Sequence, residues 1–423
     1  MDRIKTIRAA SDKSISHRAA LLSSIADESV IIKNYLFAED TVNTLKTLMK
    51  LGVDVKTFGS TVIINPKGKY AFKEPDEILD VGNSGTAMRL FSGILSAQPF
   101  LSVLTGDGSL IKRPMMRIIE PLTSMGSMIL SRHKGLAPLA IYGTRDLLGI
   151  NYDLKIASAQ VKSAILLAGL FSKNEVCINE PVKSRTHTEN MLKAFGVDVI
   201  EDGNSVCLGK DRELKGSVEI NVPADISSSA FFMVLTALKN NFEVLFKDVI
   251  LNKTRTGILN VFSQCGINYE IADKKIINNE EIGDIFVKYS KNLKPFTING
   301  DLVPSLIDEI PILSILGVFC DGVSTIKGAA ELRKKESDRI GIMCRNLSNL
   351  GVKIEEFDDG FKIYGNPKIR LNSAEIETNY DHRVAMSFLI LKAIKDIDIT
   401  IDGIQSIKTS YPGFFDHLNY LMF

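Results

Sequence analysis

Six stretches of the chain read as helices that are apolar almost all the way round: SISHRAALLSSIA, SGTAMRLFSGILSA, SAQVKSAILLAGLF, SSSAFFMVLTALK, DEIPILSILGVF and YDHRVAMSFLILKAI. Each opens on small or polar residues, and a helix without a polar face belongs in an interior. Each is followed by a β-rich run: SVIIKNY, FLSVLTGD, EVCINEP, FEVLFKDV, VSTIKGA and DITIDGI. A second kind of helix alternates with the first and stops at glycine: KTLMKLG at Gly52, EPLTSMG at Gly126, NMLKAFG at Gly196, NVFSQCG at Gly266 and NLSNLG at Gly351. Glycine there suits a left-handed C-terminal cap. These glycines recur at intervals of about 70 to 85 residues, longer than a solenoid repeat. The pattern predicts six modules of about 70 residues, three to a domain of ordinary size. No linker-like or low-complexity tract separates the halves. The join is therefore predicted to be a short crossing in NVPADISSSA, near Val222 to Asp225.

Composition narrows the class. A chain of 423 residues, 45% hydrophobic and 24% charged, reads as a multidomain globular protein. Its 51 basic and 50 acidic residues leave a net charge of +1, unlike a general nucleic-acid binder. No apolar run nears the roughly 20 residues that cross a bilayer. Asp2, Arg3 and Lys5 precede no apolar segment, so no signal peptide is predicted. The five cysteines (Cys177, Cys207, Cys265, Cys320, Cys344) form no CxxC pair, which fits a reducing cytosol better than a disulfide framework. The five histidines are equally scattered, so a dedicated His/Cys metal site is not expected.

Cations stand where the helix dipole disfavours them. Ser11 and Asp12 look like an N-cap, yet Lys13 and Arg18 follow at the positive end of the helix. The same oddity recurs. Asn83, Ser84 and Gly85 open a helix that carries Arg89, and Arg113 precedes Pro114, a residue favoured at the first helical position. Lys335 precedes a helix carrying Arg339, Arg383 follows His382, and Lys408 precedes the last helix. One such cation is an ordinary solvated side chain or ion pair; six such helix starts point to an anionic ligand, which free helix N–H groups also attract. Gly85 would admit it closely, and Ser14, Ser158 and Gln160 would donate hydrogen bonds to it.

Two carboxylates break the cationic pattern. Asp308 sits in the apolar SLIDEIPIL, and Glu336 lies between Lys335 and Ser337. Asp308 could be an N-cap and Glu336 the acid of a capping box. Beside a cationic cleft they read as acid and base, for which a protein that merely binds anions has no use.

The set DKSISHR, GNSGTAMR, KRP after TGD, SAQ, KESDR, DHR and a late Lys before an aromatic helix resembles the 5-enolpyruvylshikimate-3-phosphate synthase family, in order and over essentially the whole chain. The resemblance implies a two-domain α/β (α+β) fold, an inside-out α/β barrel of six βαβαββ units. It implies a first domain over 12–224, a second over 1–11 and 225–423, and an active site in the cleft between them that closes over its substrates. It implies transfer of the enolpyruvyl group of phosphoenolpyruvate to the 5-hydroxyl of shikimate 3-phosphate, with phosphate released from a tetrahedral intermediate. By that resemblance Lys13, Ser14, Arg18, Ser158, Gln160, Arg185, Asp308 and Lys335 hold shikimate 3-phosphate. Lys13, Gly85, Arg113, Gln160, Arg339, Arg383 and Lys408 hold phosphoenolpyruvate, while Asn83 and Arg89 shape the loop between the ligands. Asp308 takes the hydroxyl proton, Glu336 exchanges the proton at the methylene carbon, His382 supports the pair and Lys13 shares in the proton chemistry. No metal or cofactor is required, and a cytoplasmic monomer without nucleic-acid or membrane partners is expected. SAQVK, Arg185–His187–Glu189 and Asn252 to Arg255 resemble the glyphosate-tolerant subgroup, which typically has Gly where Ser11 stands.

Three alternatives compete with this reading, the first of them sharing the fold and the second substrate. The sister transferase acting on UDP-N-acetylglucosamine typically has Lys-Asn in place of Lys13-Ser14 and a Cys that TGDGSLIKRP lacks. A non-catalytic phospholigand-binding protein conflicts with Asp308, Glu336 and Lys13. An RNA-end-processing enzyme conflicts with the balanced charge.

Overall fold

In the computed structural model, which describes residues 4–423, the chain divides into two compact units. Asp2 and Arg3, read above as a charged start, lie outside the described residues. One unit comprises Lys13–Val222 with the hairpin tip Ile277–Glu280; the other comprises the described residues up to Asp12 with Pro223–Ile276 and Glu281–Phe423.

The first unit carries α1 (Lys13–Ser23), α2 (Glu39–Lys50), α3 (Gly85–Leu95), α4 (Met116–Ser124), α5 (Ala159–Gly169) and α6 (His187–Ala194). The odd-numbered helices are the all-apolar stretches, and most of their residues are buried. Gly93 permits the approach of α3 to α5, since a Cβ there would lie 2.3 Å from the carbonyl oxygen of Ala164. Around these helices stand three four-stranded sheets with one topology. In the first, Val30–Lys33 runs parallel to Glu219–Asn221 and antiparallel to Thr61–Asn65, which pairs with Asp54–Phe58. Leu79–Asp80, Leu101–Thr105, Leu136–Tyr142 and Met128–Arg132 repeat the pattern, as do Ile150–Asp153, Val176–Asn179, Ser205–Leu208 and Val199–Asp202. Strands such as Thr61–Asn65 alternate half-exposed and buried residues, as a sheet with one covered face requires.

The second unit carries α7 (Ile226–Leu238), α8 (Gly257–Cys265), α9 (Ile310–Val318), α10 (Arg339–Asn349), α11 (His382–Lys395) and α12 (Phe414–Met422). All of α9 is buried: Pro311 sits in its first turn, where no N–H is needed, and Ser314 satisfies its hydroxyl on the Ile310 carbonyl at 2.7 Å. Two four-stranded sheets keep the same topology; the last module has only the parallel pair Ala374–Ile376 and Ile399–Ile401. The pattern of six complete βαβαββ units is thus shortened in the sixth, where the 3-10 turn Ile404–Thr409 and α12 follow without a hairpin.

The cap expectation holds in detail. Gly52, Gly126, Gly196, Gly266 and Gly351 have φ of 85°, 106°, 83°, 76° and 86°, a region costly to residues with a Cβ. Two local expectations are corrected. Pro114 is not the first residue of α4, which begins at Met116; it pairs as an isolated bridge with Leu136. Cys177 and Cys207, read as part of a set without disulfides, face each other on adjacent antiparallel strands and are bonded, with Cα atoms 4.1 Å apart. Strand register decides this, and a spacing of 30 residues does not reveal it.

Candidate active site residues of the two units

In the first unit several of the sequence-selected residues are linked across α1, α5 and the start of α3. Lys13 is the first residue of α1, and its ammonium donates to Asp40 Oδ2 at 2.9 Å. Arg18 is buried, and the groups around it fix the orientation of its guanidinium. Nε donates to Thr188 Oγ1 at 2.7 Å, Nη1 to the Ser14 carbonyl at 3.0 Å, and Nη2 to Ser163 Oγ at 2.8 Å and Gln160 Oε1 at 3.4 Å. Gln160 donates in turn to Thr86 Oγ1 at 2.9 Å, linking α5 to the start of α3. Ser84 caps α3 by accepting from the Ala87 amide, and its hydroxyl also meets Nε2 of His17, whose Nδ1 meets Thr44 Oγ1.

Three cationic and polar groups border the start of α3. Arg113 donates to Asn83 Oδ1 at 2.9 Å, and Arg89 to the Gly85 carbonyl at 3.0 Å. A Cβ on Gly85 would lie 2.7 Å from Arg89 Nη1 and 3.2 Å from Arg113 Nη1, so both guanidiniums reach this glycine. Ser158 is the N-cap of α5 and makes no side-chain cap bond, and Arg185 is half-buried ahead of α6. This group combines helix N-termini with fixed guanidiniums, the chemistry that recognises phosphate and carboxylate.

The second unit holds the two carboxylates. Asp308 is not an N-cap, because α9 starts at Ile310 with Glu309 in the cap position. Its Oδ1 lies 3.4 Å from Arg339 Nη1, 3.9 Å from Lys335 Nζ and 3.9 Å from Arg383 Nε, and Arg383 Nη1 donates to its carbonyl at 3.1 Å. Glu336 is not a capping-box acid either: Asp338 caps α10 by accepting from the Gly341 amide, and Glu336 takes a 2.7 Å bond from Arg339 Nη2. Arg339 thus spans Asp308 and Glu336. His382 and Arg383 open α11 and are buried; Lys408 is exposed in the 3-10 turn Ile404–Thr409.

Asp381, which the motif DHR contains but the reading above passes over, organises this group. It caps α11 through the Arg383 amide, accepts from Ser337 Oγ at 2.9 Å, and holds Arg339 through Nε at 2.8 Å and Nη2 at 3.2 Å. Burial raises the Asp381 pKa, but Arg339 outweighs it and brings it below the ordinary carboxylate value. Burial lowers the Arg339 pKa, and Asp381 with Glu336 outweighs that, so the guanidinium stays charged. Asp40, Ser163, Thr188 and His17 were also missed. Each acts by orienting a selected residue, and only the position of Asp381 before a helix start carried a local signal.

The profile of the EPSP synthase (3-phosphoshikimate 1-carboxyvinyltransferase) family matches residues 3–418. The 3-phosphoshikimate 1-carboxyvinyltransferase of Petrotoga mobilis is 47% identical over 406 residues, covering 95% of this chain and 93% of that relative. The enzyme of that name from Bacillus subtilis is 43% identical over 425 residues, covering 99% and 98%. A solved EPSP synthase from Acinetobacter baumannii aligns with a TM-score of 0.86 at 41% identity, over 98% of this chain and 95% of that one. The enolpyruvyl transferase NikO of Streptomyces tendae, 14% identical with a TM-score of 0.78 over 98% and 94%, shares the fold. Matched from end to end in sequence and in fold, the chain belongs to the EPSP synthase family.

Proposed function

We propose that this protein transfers the enolpyruvyl group of phosphoenolpyruvate to the 5-hydroxyl of shikimate 3-phosphate and releases phosphate, and that the selected residues of both units serve that one reaction. It is a transferase of the shikimate pathway, on the route to chorismate and the aromatic amino acids. The observation that carries the reading is the pair Asp308 and Glu336 bridged by Arg339.

Phosphoenolpyruvate brings a phosphate and a carboxylate, which Lys13, Arg113, Arg339, Arg383 and Lys408 are assigned to neutralise, with Asn83, Gly85, Arg89 and Gln160 shaping the place. Ser14, Arg18, Ser158, Gln160, Arg185 and Lys335 are assigned with Lys13 to the shikimate ester. Asp308 takes the proton of the attacking hydroxyl as its oxygen bonds to C2 of phosphoenolpyruvate. Glu336 delivers a proton to the methylene carbon, forming the tetrahedral adduct. Breaking the C–O bond to phosphate, while Asp308 gives the proton it took to the departing oxygen and the methyl carbon returns one to Glu336, yields the enolpyruvyl product and inorganic phosphate. His382 supports the pair. The cations carry the charge that develops, so the residues supply both acid–base and electrostatic functions. Cytoplasmic action as a monomer completes the proposal; among the described residues no helix is long and apolar enough to cross a membrane.

Phosphate release is measured with phosphoenolpyruvate plus either shikimate 3-phosphate or UDP-N-acetylglucosamine. Release only with the shikimate ester is expected. Glu336→Gln should then lower kcat by about 10²- to 10⁴-fold while shikimate 3-phosphate still binds. Full turnover by that variant removes Glu336 from the proton transfers. Release only with the sugar nucleotide replaces the acceptor.

A further inference from the structure

The second unit buries a charged cluster to which the proposed function assigns no role. Arg255, 2% exposed, donates from Nη1 to Asp12 Oδ2 at 3.1 Å and from Nη2 to Asp225 Oδ1 and Ser227 Oγ, both at 2.8 Å. The Ser227 hydroxyl donates onward to Glu309 Oε1. Asp12 and Glu309 are 0% exposed and Asp225 is 5% exposed. A guanidinium is suited to this task because its planar fork fixes several acceptors at once.

The sequence positions of those acceptors matter. Asp12 immediately precedes Lys13, and Glu309 immediately follows Asp308. Asp12 and Asp225 also lie on the two segments where the chain passes between units, and these are tied by Asp12 N to Pro223 O at 2.8 Å and Asp225 N to Ala10 O at 2.9 Å. The Asp308 carbonyl accepts from Arg383 Nη1, and Glu309 N bonds Leu306 O at 2.9 Å. One buried side chain therefore holds the side chain of Asp12, next to Lys13, directly and that of Glu309, next to Asp308, through Ser227. Structural burial alone would be served by apolar residues at lower desolvation cost.

We infer that Arg255 is a positioning residue that sets Lys13 through Asp12 and Asp308 through Ser227 and Glu309. The kinetic part of this inference rests on the proposed function; the positioning part does not. The two arms are separable: Asp12→Asn removes the charge on the Lys13 side, and Ser227→Ala removes the hydroxyl relay on the Asp308 side.

The test combines hydrogen exchange and steady-state kinetics on the full chain, with Arg345→Met, which cuts the exposed pair to Glu377, as control. Arg255→Lys, which keeps the charge and loses the fork, should speed exchange at residues 12–14 and 308–310 more than in the rest of the unit. Ser227→Ala should lower kcat by about 10- to 100-fold with KM values changed less than about threefold, because displaced reacting groups lose rate. Asp12→Asn should instead raise KM for both substrates by about tenfold. Unchanged exchange at both segments overturns the inference. So does uniform loosening of the unit with kcat and KM moving together in every variant, which marks a purely structural role. If wild-type protein releases phosphate with neither acceptor, the functional reading fails, and the exchange data still decide the positioning. Should Arg255→Lys not fold, Ser227→Ala and Asp12→Asn carry the same comparison.

Discussion

Arg339 and Asp381 form a two-pronged, fully buried ion pair, Nε to Oδ2 at 2.8 Å and Nη2 to Oδ1 at 3.2 Å. The pair turns the remaining face of the guanidinium toward Glu336 and Asp308. Asp381→Asn keeps the shape and removes the charge, leaving a buried cation short of its main partner. The expected loss is about 3 kcal/mol or more of stability, with kcat reduced because Arg339 no longer holds its place. The folded-state pKa of Asp381 lies below the ordinary carboxylate value, so its contribution is present above about pH 3.9 and is lost as pH falls through the lower folded value. The melting-temperature gap between wild type and variant should be constant from about pH 8 to 5 and shrink in stronger acid. A gap that closes at neutral pH removes the ion pair as its source.

Gly85 tests the opposite kind of constraint, empty space. The three nearest atoms to a methyl group there are all side-chain atoms, the guanidinium ends of Arg89 and Arg113 and a methyl of Leu110, so Gly85→Ala should fold normally. The displaced guanidiniums should weaken phosphoenolpyruvate, raising its KM by about 10-fold or more, and leave the affinity for shikimate 3-phosphate near wild type. Calorimetry with each ligand separates the two. Equal weakening of both ligands contradicts the local reading.

A half-buried histidine in α12 contributes to the pH dependence of the second unit. His417 Nδ1 lies 2.7 Å from Tyr411 Oη, edge-on to Phe232. Burial lowers its pKa, with Asp416 countering in part. A base with a depressed folded pKa contributes stability above its unfolded value, about 6.5, and that contribution is lost as pH falls through the folded value. His417→Asn should flatten the fall in melting temperature between about pH 7 and 5. Parallel curves for the two proteins place the acid sensitivity elsewhere.

The Cys177–Cys207 bond closes a loop of 30 residues between neighbouring strands. Removing such a loop closure costs about 2 to 4 kcal/mol, with strain setting where in the range it falls. Cys207→Ser should lower the melting temperature under non-reducing conditions by several degrees, and an added thiol reductant should bring the wild type down to the variant. A wild type indifferent to reductant, with mass spectrometry reporting five free thiols, contradicts the bond.

Helix type and helix ends were legible because they depend on neighbours in sequence. The all-apolar bodies, the glycine caps at Gly52 and Gly351, and the cations at Lys13, Arg339 and Arg383 are each readable within one turn of helix. The family was legible because its motifs are short and contiguous. Partners contributed by other elements were not. Thr188 reaches Arg18 across 170 positions and Asp381 reaches Arg339 across 42, and nothing local distinguishes them from other polar residues. The alternative roles of Asp308 and Glu336 as helix caps could be set aside only once the true starts of α9 and α10 were placed. Asp12 shows the division most plainly. In sequence it reads as a cap for the helix that follows; in the fold its carboxylate meets the guanidinium of Arg255, 243 positions away, because burial forces a charge to find its counter-charge wherever the chain returns.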